Sequence, residues 1–348
     1  MQTFADWVQF SVSAAVVLLL LTLVVLVLVL ILKRTNKAEK STLAIENLNA
    51  SWKKTEDKLK SKIMPAKAFE ALHKEQAKQE KEKENQEKKQ KKKANGKEKY
   101  TDNEKPRVFV IDFDGDIGAT RNTVLREHIT AIIAVCRPQD EVVVRIESPG
   151  GMVHAYGLAS SQIARLTERK IKVTACVDKV AASGGYMMAC VANRIVAAPF
   201  SIIGSIGAVS AAPNFHRLLK KHDIDYIEQT AGEHKRTLSL FGEITEAGKA
   251  KHQEQLNLIH RLFKDHVAKN RPNVDLNAVA TGEYWPASVA LELGLVDELR
   301  TSDDLILELG KEADVYLLKT EEQQDLKTKL MKQFLGMITN SKLPFAGI

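Results

Sequence analysis

The sequence predicts an α/β domain built on a parallel sheet, and three observations lead there. Apolar, β-branched runs at 107–113, 141–147, 171–177 and 194–198 read as strands. Between them lie segments whose apolar residues recur at helical spacing, and repeated strand-helix-strand units imply a parallel sheet covered on both faces. Glycine-rich turns at 148–152 and 183–185 fall at strand ends, where such sheets carry their chemistry.

Composition agrees with a folded core, since 44% of the 348 residues are hydrophobic. A formal net charge of +7 would suggest a nucleic-acid partner if it lay on the folded domain. Residues 74–105 alone hold twelve Lys against eight acidic residues, so much of the excess is local and no nucleic-acid partner is expected. Cys136, Cys176 and Cys190 sit in apolar surroundings without a C-x-x-C pair. They read as core thiols, not as a disulfide framework or a metal centre.

The first element is membrane-directed. Trp7–Leu32 is a run of 26 residues without a charge, against the roughly 20 that cross a bilayer core. Asp6 precedes the run and Lys33-Arg34 ends it, unlike a cleaved secretory signal. Residues 1–37 are therefore expected to be a retained single-pass anchor, with the lipid bilayer as partner. Lys33, Arg34 and Lys37 on the exit side favour a cytoplasmic body by the positive-inside rule.

Residues 38–105 follow as juxtamembrane helix and charged linker. Leu43, Ile45, Leu48, Trp52, Leu59 and Ile63 carry helical spacing over 38–72. Residues 74–105 are too polar to bury a core and read as a spacer holding the domain off the membrane, or a lysine brush meeting anionic lipid.

The folded domain is expected over 106–315. Its strand at 107–113 leads to a helix at 121–137, the strand at 141–147 to a helix at 153–169, and the strand at 171–177 to a helix after Ser183. A strand at 194–198 continues the alternation. A long helix at 245–270 places Leu256, Ile259, Leu262, Phe263 and Val267 on one stripe, and a short helix ends at Gly294. Residues 316–348 are expected to be an amphipathic tail, with Leu326, Leu330, Phe334 and Ile338 four apart, burying that stripe on another subunit or on the domain itself, with the bilayer as the further alternative.

The chemistry concentrates at three turns. In Ala182-Ser183-Gly184-Gly185-Tyr186 a hydroxyl stands between small residues just as an apolar helix begins, so Ser183 reads as a nucleophile or as a plain N-cap. Ser148-Pro149-Gly150-Gly151 can present backbone N–H groups, and with Gly184 could pair donors on a tetrahedral oxyanion. Asp112-Phe113-Asp114-Gly115-Asp116 resembles the nucleophile loop of haloacid-dehalogenase phosphatases, although Asp116 stands where that family has Thr or Val. The plain alternative is a polar turn at a strand end.

A serine nucleophile needs a base. No histidine lies between Ser183 and His216, the window in which Clp-type proteases place theirs, although His154 stands beside the glycine loop. Lysine is the remaining candidate, and it must be desolvated to be neutral near operating pH. Lys235, 52 residues after the serine and behind the strand-like 224–227, is the choice.

Five pieces in order, Ser148-Pro149-Gly150-Gly151, Ala182–Tyr186, Gly204-Ser205-Ile206-Gly207, Gly232–Lys235 and Ala290–Leu299, carry a resemblance to the signal peptide peptidase A family of membrane-anchored serine proteases. The resemblance covers roughly 106–300 and implies a Clp/crotonase-like fold. It implies Ser183 as nucleophile, Lys235 as general base, Ser205 as the hydroxyl orienting the lysine, and Gly151 and Gly184 as oxyanion donors, with Gly150 adjacent. It further implies a bacterial inner-membrane enzyme with no metal or cofactor. Its substrates would be signal-peptide remnants or damaged proteins, its assembly a ring of identical subunits, and its body periplasmic, against the flanking charge. Relatives carry a small residue or lysine two before the base and an acidic residue after it, where this chain has Glu233 and Arg236. The competing expectation is a catalytically silent membrane scaffold of the same fold.

Overall fold

The computed structural model describes residues 41–72, 74, 75, 78, 81, 82 and 105–322. The expected anchor, most of the charged linker and the tail beyond 322 lie outside those residues. Among the described residues no helix is long and apolar enough to cross a membrane. Ile45–Lys319 forms one compact unit, and the site lies within it.

The strands are β1 (Ser41–Asn47), β2 (Arg107–Asp114), β3 (Glu141–Glu147), β4 (Lys172–Val177), β5 (Val180–Ala182), β6 (Arg194–Ala197), β7 (Ile202–Gly204), β8 (Tyr284–Pro286), β9 (Glu298–Leu299) and β10 (Asp314–Glu322). Seven of them form one sheet in the order β1-β10-β2-β3-β4-β6-β9, and β5-β7-β8 form a second. The pairs from β10 through β2, β3, β4 and β6 to β9 are parallel, as the alternating pattern predicts. The small sheet is mixed, because β7 meets β8 antiparallel.

Alternation along the strands sends side chains to two cores. Phe109, Ile111 and Phe113 of β2 and Val142, Val144 and Ile146 of β3 face one, beneath the helices α2 (Asn122–Val135) and α3 (Val153–Thr167). Val108, Val110 and Val143 face the other, against α1 (Leu48–Ile63) and α9 (Ser302–Glu312). Near-continuous burial is what a doubly covered parallel strand requires, and each such Val or Ile stabilises by roughly 1.5–3 kcal/mol. Asp140, buried at the start of β3, accepts from the side chains and backbone N–H groups of Arg107 and Arg137. Burial pushes its carboxyl up, but those hydrogen bonds outweigh it and hold the pKa at about 2.

Three expectations need correction. Residues 41–47 are a strand, not the start of the juxtamembrane helix, which begins at Leu48 behind an Asn47 N-cap. β10 runs across the boundary expected at 315 and joins the large sheet. The helix α6 (Glu246–Asn270) buries only Phe263 and Val267 of its stripe, while Leu262 stays 58% exposed. Between β7 and α6 lie the helix α5 (His216–Lys221) and a loop; α7 (Leu276–Val279) and α8 (Ala287–Glu292) follow α6.

Candidate active site

Ser183 occupies the turn between β5 and the short helix α4 (Gly184–Ala189), half-buried, at φ 51 and ψ −117. A non-glycine residue in that region is strained, of order 1–3 kcal/mol, and such strain persists only where surrounding contacts impose it. They are visible here. The Ser183 N–H donates to Gly204 O (2.8 Å), and its carbonyl accepts from Met187 N–H (2.9 Å). The Ser183 side chain makes no capping bond to α4, so the N-cap role does not consume its hydroxyl.

Strand register delivers the second hydroxyl. β5 and β7 are parallel with Ala182 opposite Gly204, which makes Ser183 and Ser205 the next residues on neighbouring strands. Ser205 is also bent to positive φ (55), and its N–H donates to Glu283 O.

The Ser148–Gly151 turn is stitched to the same place. Ser148 pairs with Ala181, donating its N–H to Val180 O (2.8 Å) and accepting from Ala182 N–H (3.0 Å). Gly150 has φ +92, and a Cβ there would stand 2.6 Å from Gly184 N and 2.8 Å from the Ser183 Cβ. A Cβ on Gly151 would strike Ile117 O, and one on Gly184 the Tyr156 ring. These glycines are required for close approach.

The Gly150 N–H donates to Ser148 Oγ (3.1 Å). Gly151 N–H and Gly184 N–H have no acceptor among the described residues, and Gly184 opens a helix, where amides are unpaired. The structure therefore separates the two adjacent glycines that sequence left together: Gly151 is the free donor and Gly150 is not.

Lys235 is placed differently. It lies in the irregular loop 222–244, solvent-exposed, its backbone N–H closing a turn onto Gly232 O (3.1 Å). Its ammonium has no hydrogen bond or ion pair with any described residue, Ser183 included. Arg236 beside it is paired with Glu228 (2.9 Å), and Glu233 reaches only toward His234 (3.9 Å). His154 is exposed on the first turn of α3.

The Asp112–Asp116 loop is not arranged as a phosphatase site. Asp112 is held by both arms of Arg145 (2.6 and 2.8 Å), and the Asp116 carboxylate is turned onto Thr120. Cys176 and Cys190 are buried, with thiol pKa values pushed by burial up to about 12.

Comparison with known proteins then decides the family. The model for peptidase family S49 matches residues 165–316, and that for the family's N-terminal region matches 2–163. The chain is 55% identical over 237 residues to Probable protease SohB of Haemophilus influenzae, covering 68% of this chain and 66% of that protein. It is 52% identical over 212 residues to Probable protease SohB of Buchnera aphidicola subsp. Schlechtendalia chinensis, covering 61% and 70%. The chain belongs to peptidase family S49. The protease resemblance carried by the five motifs is thus borne out, and Probable protease SohB of Buchnera aphidicola subsp. Acyrthosiphon pisum extends the likeness at 47% over 239 residues, covering 69% and 70%.

Within this S49 domain, sequence reasoning missed Tyr156 and the carbonyls of Asp116 and Ile117. Tyr156 is completely buried, and burial pushes its phenol pKa up, so the hydroxyl stays protonated. A tyrosine on the buried stripe of α3 was the available sign, because a buried phenol must find a partner.

Proposed function

We propose that this S49 protein is a membrane-bound serine endopeptidase working through a Ser183-Lys235 dyad. The observation carrying it is the strained Ser183 beside two unpaired amides, Gly151 and Gly184, on separate turns locked together by backbone bonds. In this mechanism Ser183 Oγ attacks a peptide carbonyl, and its proton passes to Lys235 and then to the leaving amine. The Gly151 and Gly184 amides stabilise the oxyanion, and water afterwards clears the acyl-enzyme. Ser205 orients the lysine amine.

Lys235 must be desolvated to act as a base at neutral pH. As an exposed residue it needs its loop covered, and a homo-oligomeric ring would supply that cover. Exposed apolar side chains along the chain between β7 and α6 support such an assembly, among them Val209 (90%) and Ile227 (82%). The charge-free run Trp7–Leu32 supports single-pass anchoring in a bacterial inner membrane. Substrates are then membrane-derived peptides such as signal-peptide remnants, or damaged proteins.

The exposure of Lys235 is also the one observation favouring a silent scaffold. Purified full-length wild type, Ser183→Ala and Lys235→Ala, assayed on a denatured protein and an apolar peptide, separate the two. The dyad requires cleavage by wild type alone. Activity surviving in Ser183→Ala sinks it, and assembly without cleavage by wild type establishes the scaffold.

A further inference from the structure

The Asp112–Asp116 motif and the buried Tyr156 are left without a role by the dyad, and the structure joins them. The Tyr156 hydroxyl donates to Asp116 O (2.7 Å) and lies 2.5 Å from Ser148 Oγ. With the tyrosine proton committed to that carbonyl, the serine proton turns to Tyr156 Oη, with Gly115 O a longer second acceptor (3.4 Å), and Ser148 Oγ accepts from Gly150 N–H (3.1 Å). A single chain of hydrogen bonds thus runs from Gly150 N–H through Ser148 and Tyr156 to the backbone after β2. Gly115 is part of the frame: a Cβ there would lie 2.5 Å from both hydroxyls. On the other side of the turn Met152 N–H donates to Ile117 O (2.8 Å). The Gly150–Gly151 turn is therefore pinned at both ends to one loop, 115–117. The Tyr156 ring meanwhile packs on Gly184, which carries the second free amide.

We propose that Tyr156 is a positioning residue for the oxyanion site: its hydroxyl, through Ser148 Oγ, holds the Gly150 amide inward so that the Gly151 amide faces the reacting oxygen. The Asp112–Asp116 motif serves by its backbone, anchoring this relay at Asp116 O. The inference rests on Ser183 as nucleophile, because an oxyanion arises only where an acyl group is attacked. Amide donors act through orientation, and a donor removed outright costs about 10²–10³-fold in kcat. A donor left in place but released from its frame should cost less, about 10- to 100-fold.

The test uses full-length Tyr156→Phe, Ser148→Ala and the double variant, with kcat and KM measured on a fluorogenic apolar peptide. Tyr156→Phe keeps the ring and removes only the hydroxyl. Expected are a fall of about 10- to 100-fold in kcat with KM within about twofold, and a double variant no worse than the poorer single, because the two hydroxyls act in series. Wild-type kcat in Tyr156→Phe overturns the inference, as do multiplicative losses or a change confined to KM. A second measurement does not depend on activity. In a Ser183→Ala background, amide exchange over residues 148–152 should accelerate when Tyr156 becomes Phe, while that over β3 should not. Unchanged exchange in 148–152, or faster exchange across both, overturns the relay. Activity retained by Ser183→Ala alone would instead remove the dyad and leave the exchange result standing.

Discussion

The turns around Ser183 and the loop around Lys235 are built on opposite principles. At the first, four chain segments meet with backbone bonds of 2.8–3.0 Å between them, and the glycines admit no added carbon. At the second, a Cβ on Gly232 would meet nothing within 4 Å. Loop 222–244 carries a small apolar cluster in which Phe241 stacks on Phe215 and tilts against Tyr226, and Leu240 O accepts from Phe215 N–H (2.7 Å). Catalytic groups need orientation to a fraction of an ångström, which the first region supplies within one chain. The second leaves Lys235 exposed to solvent. The comparison teaches that the turns around Ser183 are preorganised within the chain, whereas under the proposed dyad Lys235 would acquire a low dielectric only when something covers it.

Removing each half should cost activity very differently from stability. Lys235→Ala is expected to lower kcat/KM about 10²–10⁴-fold, the range of a general base, with a thermal midpoint within about one degree of wild type because the side chain is exposed. Enzyme assay beside thermal melting reads both. Full activity in this variant would mean that the open loop has no part in the chemistry and would break the comparison outright.

Glycine substitutions sharpen it by stability alone. Gly150 and Gly232 have nearly the same φ, +92 and +97. Gly150→Ala adds a carbon 2.6 Å from Gly184 N and 2.8 Å from Ala182 O, so the clash adds to the left-handed penalty. The expected loss is about 3 kcal/mol or more. Gly232→Ala meets open space and should lose only about 1 kcal/mol. Denaturant midpoints of the two variants measure the difference, and equal losses would show the loop to be as tightly held as the turns.

Ser183→Gly tests where the strain is stored. At φ 51 and ψ −117 glycine sits without a Cβ penalty, so the inactive variant should gain about 1 kcal/mol in stability. A loss would mean that contacts of the hydroxyl outweigh the relief.

Much of this division was legible in residues and some could not be. The strands β2, β3, β4 and β6 follow from β-branched runs buried on both sides, a signal strong enough to survive without tertiary context. The meeting of the Ser183 turn with the Gly150-Gly151 turn was legible as small residues at two strand ends. β1 escaped because Leu43 and Ile45 fit a helical stripe as well as a strand, and its partner β10 lies more than 260 residues away. Tyr156 escaped for a related reason. Its hydroxyl bonds to residues 40 before it and 8 before it, and no local pattern encodes that meeting. Lys235 was chosen by excluding histidine, which identifies a residue type but says nothing of the surroundings that would tune it.

The smallest expected effect concerns whether the preorganised half survives mild acid. His266 of α6 bonds through Nε2 to Met187 O (3.0 Å) and Ser160 Oγ (3.1 Å), fastening the long helix to α4 directly behind Ser183. Burial lowers its pKa, the bond to Met187 O opposes that, and Lys269 adds to the lowering. A histidine depressed in the folded state binds its proton more readily when unfolded. Its contribution is therefore fully present above the ordinary histidine value near pH 6.5, and is lost as pH falls below that value. His128, on the buried face of α2 and likewise lowered by burial, acts in the same direction. Melting curves of the full-length protein from pH 7.5 to 5 should show stability falling with acid. His266→Asn, which keeps a hydrogen-bond donor without titrating in this range, should flatten the fall below pH 6.5 in part, leaving the share owed to His128. An identical slope in the two proteins would remove His266 as the group that ties α6 to α4 in a pH-dependent way.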